Sequence, residues 1–329
     1  MISIDKDHSW KALDTSETLL KNKKLLSTLL FDHTLKHNIS WLTDQYENLG
    51  EGYQLQDTMK VRFIAGANDG VLKPRIKKPV EEQEKRSRDK GEVFTPSWVC
   101  NNQNNLIDNE WFGYPNAFNQ EIANGWISSN KAIQFPNGVN WRDYVCCNRL
   151  EVSCGEAPYL TSRYDTVTGE FIPVVSRIGL LDRKLRVVTE NCGTPAEWIE
   201  WAGKALKSIY GYDWQGDNVL LARENILCAT VEAYEAAFYL IPSDSVLMQW
   251  SHIISWNIWQ MDGIKCVIPN SCVDYEKVYT LFGEETRYCQ CPGCKTGENT
   301  KHTGKYCMIM DWDTHKAMRF VDLAKGAKK

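Results

Sequence analysis

The feature that most constrains the fold of this chain is an alternation of strand and helix patterns between residues 149 and 262. The stretches RLEVSCG and HIISWNIWQMDG predict strands with their following turns, and KALKSIYGYDW predicts a helix that runs into a strand. Between them, NVLLARENILCATVEAYEAAF predicts a long helix. Alternation of this kind is typical of a parallel sheet with helices packed on it, so the sequence predicts an α/β fold.

The patterns on either side of this region predict a more varied organisation. Residues up to about 55 read as helical, MKVRFIAG reads as a strand, and the charged segment that follows to about residue 89 reads as loose. The stretch SWVCNNQNNLIDNEWFG predicts a helix that ends near Gly113, and residues 114–148 read as irregular. A proline-started helix is expected after Cys154-Gly155, and RYDTVTGEFIPVVSRIGLLDRKLRVV predicts an inserted hairpin or extra strands.

The composition favours an intracellular protein that does not bind nucleic acid through a large basic surface. The formal net charge of the 329 residues is -4, and the basic runs KPRIKK and KRSRDK fit a solvated linker as well as a phosphate-contacting arm. The amino terminus lacks a signal-peptide pattern and no run approaches the length of a membrane span, which predicts a cytoplasmic protein without a membrane partner. The twelve cysteines are therefore expected to be thiols or metal ligands rather than disulfides.

Small and acidic residues follow each predicted strand. Cys154-Gly155 follows the first, Asp213 ends the second and Asp262 follows the third. Ligands of open parallel sheets bind at the carboxyl ends of strands, where a glycine lets the backbone approach and an acid can hold a ribose diol. Each residue alone also fits an ordinary turn, and Asp217 or Asn218 fits a cap of the next helix.

The order of these signals resembles the gamma class of N6-adenine DNA methyltransferases of restriction–modification systems. That family begins with a Glu-Val-Phe-Thr-Pro element before a helix, which matches residues 92–96; alone, this stretch would be a plain loop-to-helix junction. The family's Cys-Gly-x-Gly-x-Phe-Leu turn is similar to residues 154–160, and its Gly-x-Asp strand end and Ala-Arg-x-Asn helix match residues 211–213 and 222–225. Its Asn-Ile-x-x-Gly-Asp element resembles residues 257–262.

The resemblance implies a Rossmann-like sheet that binds S-adenosylmethionine, with DNA as the partner. In the family the Phe-Thr-Pro element lies over the cofactor pocket, the glycine turn forms its floor, and the acids hold the ribose and the adenine ring. Carried over to this chain, the implied cofactor-binding residues are Phe94, Thr95, Pro96, Glu151, Cys154, Gly155, Asp213, Trp214 and Asp262.

Three departures from the family pattern change what the resemblance implies. Ala157 stands where the second glycine is usual, and about fifty residues separate the first and second motifs. The catalytic (Asp/Asn)-Pro-Pro-(Tyr/Phe) tetrapeptide is absent, since the chain has no Pro-Pro pair, so its catalytic residues are unknown. We therefore expect a split enzyme, in which a second polypeptide supplies the tetrapeptide and target recognition. The alternative is a non-catalytic protein of this fold that binds DNA or a partner as an assembly or regulatory subunit.

The cysteine-rich stretch after residue 265 predicts a structural zinc site. Cysteines in close pairs suit tetrahedral zinc, and CPGC has the form of a zinc knuckle. The expected ligands are Cys266, Cys272, Cys291 and Cys294, with Cys289, His302 and Cys307 as competitors. A cysteine-rich loop without metal is the alternative.

These patterns divide the chain into four parts. Residues 1–85 are expected to form a helical region with a charged linker, and residues 86–265 a methyltransferase core with inserts at 114–148 and 161–205. Residues 266–310 are expected to form the zinc segment, and residues 311–329 a carboxyl-terminal strand and tail.

Overall fold

The structure, a computed structural model, describes residues 22–92, 95–280 and 283–326. Phe94 lies outside these residues. The described chain is a mixed α/β protein with one parallel sheet of three strands and several two-stranded antiparallel sheets. Its α-helices are α1 (Lys23–Leu30), α2 (Val61–Ile64), α3 (Val80–Lys90), α4 (Ser97–Phe112), α5 (Trp141–Cys146), α6 (Leu180–Asn191), α7 (Pro195–Lys207), α8 (Gly216–Phe238), α9 (Asp244–Asn257), α10 (Pro292–Thr296) and α11 (Phe320–Gly326).

The strands are short, and most of them form local hairpins. They are β1 (Phe31–Asp32), β2 (His37–Asn38), β3 (Asn119–Ile122), β4 (Gly125–Ser128), β5 (Arg149–Val152), β6 (Ile209–Asp213), β7 (Ile258–Gln260), β8 (Tyr275–Thr280), β9 (Gly283–Tyr288), β10 (Met308–Asp311) and β11 (Lys316–Arg319). Antiparallel pairs join β1 to β2, β3 to β4, β8 to β9 and β10 to β11.

The parallel sheet has the strand order β5-β6-β7. Glu151 pairs with Gly211, and Gly211 pairs with Ile258, so the three carboxyl ends lie along one edge of the sheet. Gly211 allows close packing here, because a Cβ at this position would come within 3.1 to 3.3 Å of Ile258 and of the Cys154 side chain. This arrangement confirms the predicted α/β class and its parallel strands, whereas a wider Rossmann-like sheet stays a prediction.

The two faces of the sheet belong to two apolar cores. Ile209 and Ile258 point into the larger core, which is built from α6, α7, α8 and α9 together with α1. On the other face, Tyr212 and Trp259 pack against Ile309 and Val321 from the carboxyl-terminal segment. This second core therefore spans the sequence boundaries that we predicted at residues 265 and 310.

Polar contacts connect residues 29–40 to the parallel sheet. The guanidinium of Arg223, in α8, is fully buried and donates to backbone carbonyls of Leu29, Phe31, Ser255 and Ile258. This arginine of the Ala-Arg-x-Asn stretch thus connects α1 to β7. Farther along, Gln260 exchanges two hydrogen bonds with the backbone of Ser40, at 2.8 and 3.0 Å.

Several local predictions are confirmed. The helix predicted to end near Gly113 is α4, and Gly113 follows it at a φ of 73°, the left-handed conformation that favours glycine. The long helix is α8, and the predicted helix-to-strand passage is α7 followed by β6.

Other local predictions are wrong. Residues 59–66 form the short helix α2 rather than a strand, and the segment predicted to be loose contains α3. The described part of residues 1–55 contains α1 and then the β1–β2 pair instead of continuous helix. After Gly155 the described chain makes turns, and the next α-helix begins at Leu180.

Two more elements differ from their predictions. The expected extra strands within residues 163–188 are limited to one bridge between Tyr164 and Phe171, because the second half of that stretch is α6. Most of the strand predicted from His252 onward is α9, with only Ile258–Gln260 extended. Among the described helices, none is both long enough and apolar enough to span a membrane.

Candidate functional site

The turn after β5 has a left-handed backbone at three alternate residues. Ser153, Gly155 and Ala157 all have positive φ, at 51°, 52° and 64°. Ala157 therefore keeps the left-handed conformation for which the resembled family uses glycine, at a steric cost of about 1–2 kcal/mol. A Cβ added to Gly155 would have no neighbour within 4 Å, so open space lies beside this residue.

Asp213 connects this turn to the end of β6. Its Oδ2 accepts the Gly155 N–H at 3.0 Å, and its Oδ1 accepts the Gln215 N–H at 3.0 Å. Asn218, in the first turn of α8, donates its side-chain amide to Oδ1 at 3.3 Å. Asp213 is only 8% exposed, and burial raises the pKa of its carboxyl above the usual range. The structure thus brings Gly155 and Asp213 together, as their positions at neighbouring strand ends predict.

Glu151 lies beneath the same turn. Its two carboxylate oxygens accept the N–H groups of Tyr159 and Leu160 at 3.3 and 3.2 Å. Burial raises the pKa of Glu151 to about 8, and the nearby charge of Asp213 acts in the same direction. Cys154, also buried, lies beside Gly211 in the sheet, where burial raises the pKa of its thiol. Two acids with raised pKa values therefore lie close together at one end of the sheet.

A buried ion network borders these acids. The guanidinium of Arg86 contacts Glu92 at 2.6 Å and Asp217 at 2.7 Å, and Lys78 lies 3.4 Å from the same Asp217 oxygen. Asn218 joins the network to Asp213 by also donating to Glu92 at 2.8 Å. Arg86 also donates to the side-chain oxygens of Gln45, Gln215 and Asn218. Asp217, which the sequence offered as a helix cap, is therefore an ion-pair partner of Arg86.

Thr95 and Pro96 lie between the turn after β5 and an open cavity. The Thr95 carbonyl accepts the hydroxyl of Thr166 at 2.9 Å, and the hydroxyl of Tyr159, whose pKa is raised by burial, is hydrogen-bonded to Thr95. Pro96 and Trp98 border a cavity of about 710 Å³ that neither Glu151 nor Asp213 lines. We place the candidate site at the strand ends, because the glycine turn and the buried acids lie there.

The last two predicted cofactor residues differ in their availability. Trp214 is 39% exposed directly after Asp213, and its carbonyl accepts a hydrogen bond from Gln260 at 2.9 Å. Asp262, in contrast, caps its own turn: its Oδ1 accepts the N–H groups of Ile264 and Lys265, each at 3.1 Å. Lys265 also lies 3.5 Å from its Oδ2. The structure therefore favours the turn interpretation of Asp262 over a contact with an adenine ring.

The raised pKa of Glu151 makes a prediction about stability and pH. A carboxyl that is more basic in the folded state than in the unfolded chain binds extra protons on folding, so it stabilises at low pH and this stabilisation is lost as the pH rises toward 8. We expect Glu151→Gln to flatten the fall of the free energy of unfolding between about pH 5 and 8, by up to about 1.4 kcal/mol per pH unit. Urea unfolding at several pH values measures this slope. The exposed Glu110→Gln is the control, and equal slopes in both variants would contradict the assignment.

Three cysteines and a histidine form a second candidate site. The Sγ atoms of Cys272, Cys291 and Cys294 lie 3.6, 3.6 and 3.7 Å from Nδ1 of His302, and all four ligand atoms lie within 4.8 Å of one another. Tetrahedral zinc, with Zn–S of about 2.3 Å and Zn–N of about 2.0–2.1 Å, requires N···S separations of about 3.6 Å. The group could therefore bind a metal such as zinc.

The local backbone is shaped around this group. A Cβ at Gly293 would come within 2.6 Å of the His302 ring, so the knuckle CPGC needs glycine at that position. The N–H of Thr303 donates to the Cys291 sulfur at 3.2 Å, which is the type of outer contact that orients a thiolate ligand.

Cys266 is not a member of this cluster, which corrects the predicted ligand set. It is buried in the second core with Tyr212 and Cys307, and its carbonyl accepts the Cys307 N–H. His302, one of the named competitors, occupies the fourth position instead. Sequence spacing did not separate these candidates, because the ligands come from two loops and the start of α10, which meet only in the folded chain.

Sequence reasoning also missed the role of Arg86. It lies in a run of charged residues that is typical of a solvated surface, and nothing in that run distinguishes it from its neighbours. Glu92, the first residue of the Glu-Val-Phe-Thr-Pro element, was the available signal, since it contacts both Arg86 and Asn218.

Comparisons of the chain with protein-family models, with curated proteins and with solved structures find no match.

Proposed function

We propose that this chain is the S-adenosylmethionine-binding part of an N6-adenine DNA methyltransferase of a restriction–modification system. A second polypeptide would supply the catalytic (Asp/Asn)-Pro-Pro-(Tyr/Phe) tetrapeptide and target recognition. The observation that carries the proposal is the meeting of Gly155 and Asp213 at the carboxyl ends of neighbouring parallel strands. A Rossmann-like sheet completed by the second polypeptide is part of the same proposal.

The residues at the strand ends fit a cofactor with a ribose and a cationic sulfonium. Open space beside Gly155 leaves room for a ligand against the backbone, and the nearly buried carboxylate of Asp213 suits the two hydroxyls of a ribose. Trp214 offers an exposed aromatic face for an adenine ring. A bound cation would favour the charged forms of Glu151 and Asp213, both of which burial makes harder to ionise.

When bound, S-adenosylmethionine would supply its methyl group to an exocyclic amine by direct displacement. The contribution of this chain would be orientation, since the reaction needs alignment of two reactants more than stabilisation of new charge. Gly155 and Asp213 would fix the ribose. Glu151 would hold the turn in place through its hydrogen bonds to Tyr159 and Leu160.

The DNA part of the proposal rests on the order of motifs along the chain. That order matches the gamma class from the Glu-Val-Phe-Thr-Pro element to Asp262, and the net charge of -4 agrees with DNA contacts made mainly by another polypeptide. A cytoplasmic location belongs to the same proposal.

A second candidate function is that of a non-catalytic assembly or regulatory subunit. The observation that favours it is the internal satisfaction of the site: both oxygens of Asp213 already accept backbone N–H groups, and Arg86 is fully paired with Glu92 and Asp217. Such a protein would not need S-adenosylmethionine.

Calorimetric titration of the purified chain with S-adenosylmethionine tests the proposal. We expect micromolar binding that Asp213→Asn weakens at least tenfold, because the variant loses one charge-assisted hydrogen bond worth about 1.5–3 kcal/mol. The matched control is Asp313→Asn in the exposed turn between β10 and β11, which should bind as the native chain does.

Thermal melting of each variant separates loss of binding from loss of fold. Failure of the folded native chain to bind at millimolar cofactor, both alone and with the second polypeptide, would favour the assembly subunit. Equal affinity of the native chain and Asp213→Asn would place the cofactor elsewhere.

A further inference from the structure

Strand β5 has an inverted pattern of burial. Leu150 and Val152 are 44% and 62% exposed, whereas Glu151 between them is 8% exposed. Strands in soluble proteins usually bury their aliphatic side chains and expose their charged ones. Parallel sheets are normally covered on both faces. The exposed aliphatic pair therefore indicates a surface that another segment covers.

The same strand has an unpaired edge. Within the described chain, β5 pairs with β6 on one side and with no strand on the other. Arg149 donates its N–H to Ser208 beside β6, so by the alternation of a parallel ladder the backbone groups of Leu150 and Val152 face the open side. These groups can accept a further strand.

The carboxyl-terminal segment packs on the second-core face of β6 and β7 but leaves Leu150 and Val152 of β5 exposed. Phe320, at the start of α11, contacts the rings of Tyr212 and Trp259, at centroid distances of 6.0 and 5.1 Å. By the register of the sheet, Val152 is the neighbour of Tyr212 on this same face. An added strand next to β5 would continue an apolar layer that already covers β6 and β7.

The amino end of β5 carries excess positive charge. Arg149 and Arg183 share one acid there: Asp108 contacts Arg183 at 2.5 Å and Arg149 at 3.9 Å. Nε and Nη2 of Arg149 are buried and make no hydrogen bond within the described residues. A carboxylate brought by a partner would complement this end of the strand.

We propose that the open edge of β5 binds a parallel strand of a second polypeptide, with aliphatic side chains toward Leu150 and Val152 and a carboxylate near its amino end. The proposal rests on the proposed function in one respect, namely that this polypeptide is the one carrying the catalytic tetrapeptide. A parallel strand here ends beside Gly155, so residues that follow it reach the candidate site. A parallel strand would therefore both pair with the open edge of β5 and bring the residues after it to the candidate site.

The test uses the full chain and the polypeptide with a (Asp/Asn)-Pro-Pro-(Tyr/Phe) tetrapeptide that is encoded with it. Sedimentation velocity without S-adenosylmethionine measures the complex. Val152→Pro removes one edge N–H and spares the ladder to β6, and Leu150→Lys places a charge on the apolar face. We expect each variant to weaken the affinity of the complex at least 100-fold. Ile241→Lys, at another exposed aliphatic residue after α8, is the control and should have no effect.

Hydrogen exchange of the native chain gives a readout that does not depend on the variants folding. The amides of Leu150 and Val152 should exchange fast in the free chain and become protected in the complex. Three outcomes would overturn the proposal: the folded chain forms no complex, the complex forms without this protection, or the chain self-associates through the same edge. Because no cofactor is added, failure of S-adenosylmethionine binding would not affect the result.

Discussion

Removing zinc should unfold the segment between residues 272 and 303, whereas Cys266, Ile268 and Cys307 stay packed in the second core. The protein is expected to carry one zinc per chain, and a structural site of this kind contributes an apparent binding free energy of about 10–16 kcal/mol. Few apolar side chains stabilise the segment otherwise, since all the described side chains of the β8–β9 hairpin except that of Val278 are exposed. We expect EDTA, and likewise Cys291→Ser, to lower the melting temperature and to make the hairpin amides exchange freely.

Matched cysteine variants identify the ligands in this experiment. Cys294→Ser should lose the metal, whereas Cys289→Ser and Cys266→Ser should keep one zinc by metal analysis, because these two thiols lie outside the cluster. His302→Cys should retain zinc as a four-cysteine site, and His302→Ala should not. Zinc loss in Cys266→Ser with full occupancy in His302→Ala would restore the ligand set expected from the sequence.

Breaking the Arg86–Asp217 pair should cause a large loss of stability. Both side chains are buried, so Asp217→Ala leaves Lys78 without its buried acid and leaves Arg86 with Glu92 as its remaining ion-pair partner. We therefore expect a loss of about 3 kcal/mol in the free energy of unfolding. The double variant Arg86→Met with Asp217→Ala should lose less than the sum of the single variants. Urea unfolding measures all three, and additive losses would show that the pair is not coupled.

The same pair predicts how acid affects the protein. Burial alone would raise the pKa of Asp217, but the charges of Arg86 and Lys78 outweigh it and hold this pKa below its usual range. A lowered carboxyl pKa gives stability that is present above the unfolded value near 4 and is lost as the pH falls below it. The native chain should therefore lose more stability than Asp217→Ala between about pH 4 and 2.

The sequence predicted the parts of the fold that local patterns determine. Helix α8 and the strand before it have strong periodicity, and α4 is bounded by Pro96 and Gly113, so their types and limits follow from neighbouring residues. Local patterns failed elsewhere, and two of these cases show the reason. Residues 59–66 alternate like a strand but fold as α2. The charged α3 is stabilised through Arg86, two of whose partners, Gln215 and Asp217, lie more than 120 residues away in the sequence.

The candidate sites show the same limit. Gly155 and Asp213 could be paired from sequence because each follows a strand of one parallel sheet. His302 could not be preferred to Cys266, since the choice depends on how two loops and the start of α10 meet in the folded chain. Asp262 has the expected position after β7, but its own turn takes up its carboxylate.

The contact between Ser40 and Gln260 has a consequence for how the protein is made. The two residues are separated by 220 positions, so a ribosome that adds about 5–20 residues per second needs on the order of 10–40 s to produce the second after the first. Leu29 and Leu30 are buried in the finished protein, and α1, which contains them, packs against α9. During that interval α9 and β7 have not been synthesised, so Arg223 cannot yet link the Leu29 carbonyl to that of Ile258. The amino-terminal residues are thus synthesised first but pack into the core late. Their apolar side chains stay exposed in the nascent chain, where a chaperone could bind them.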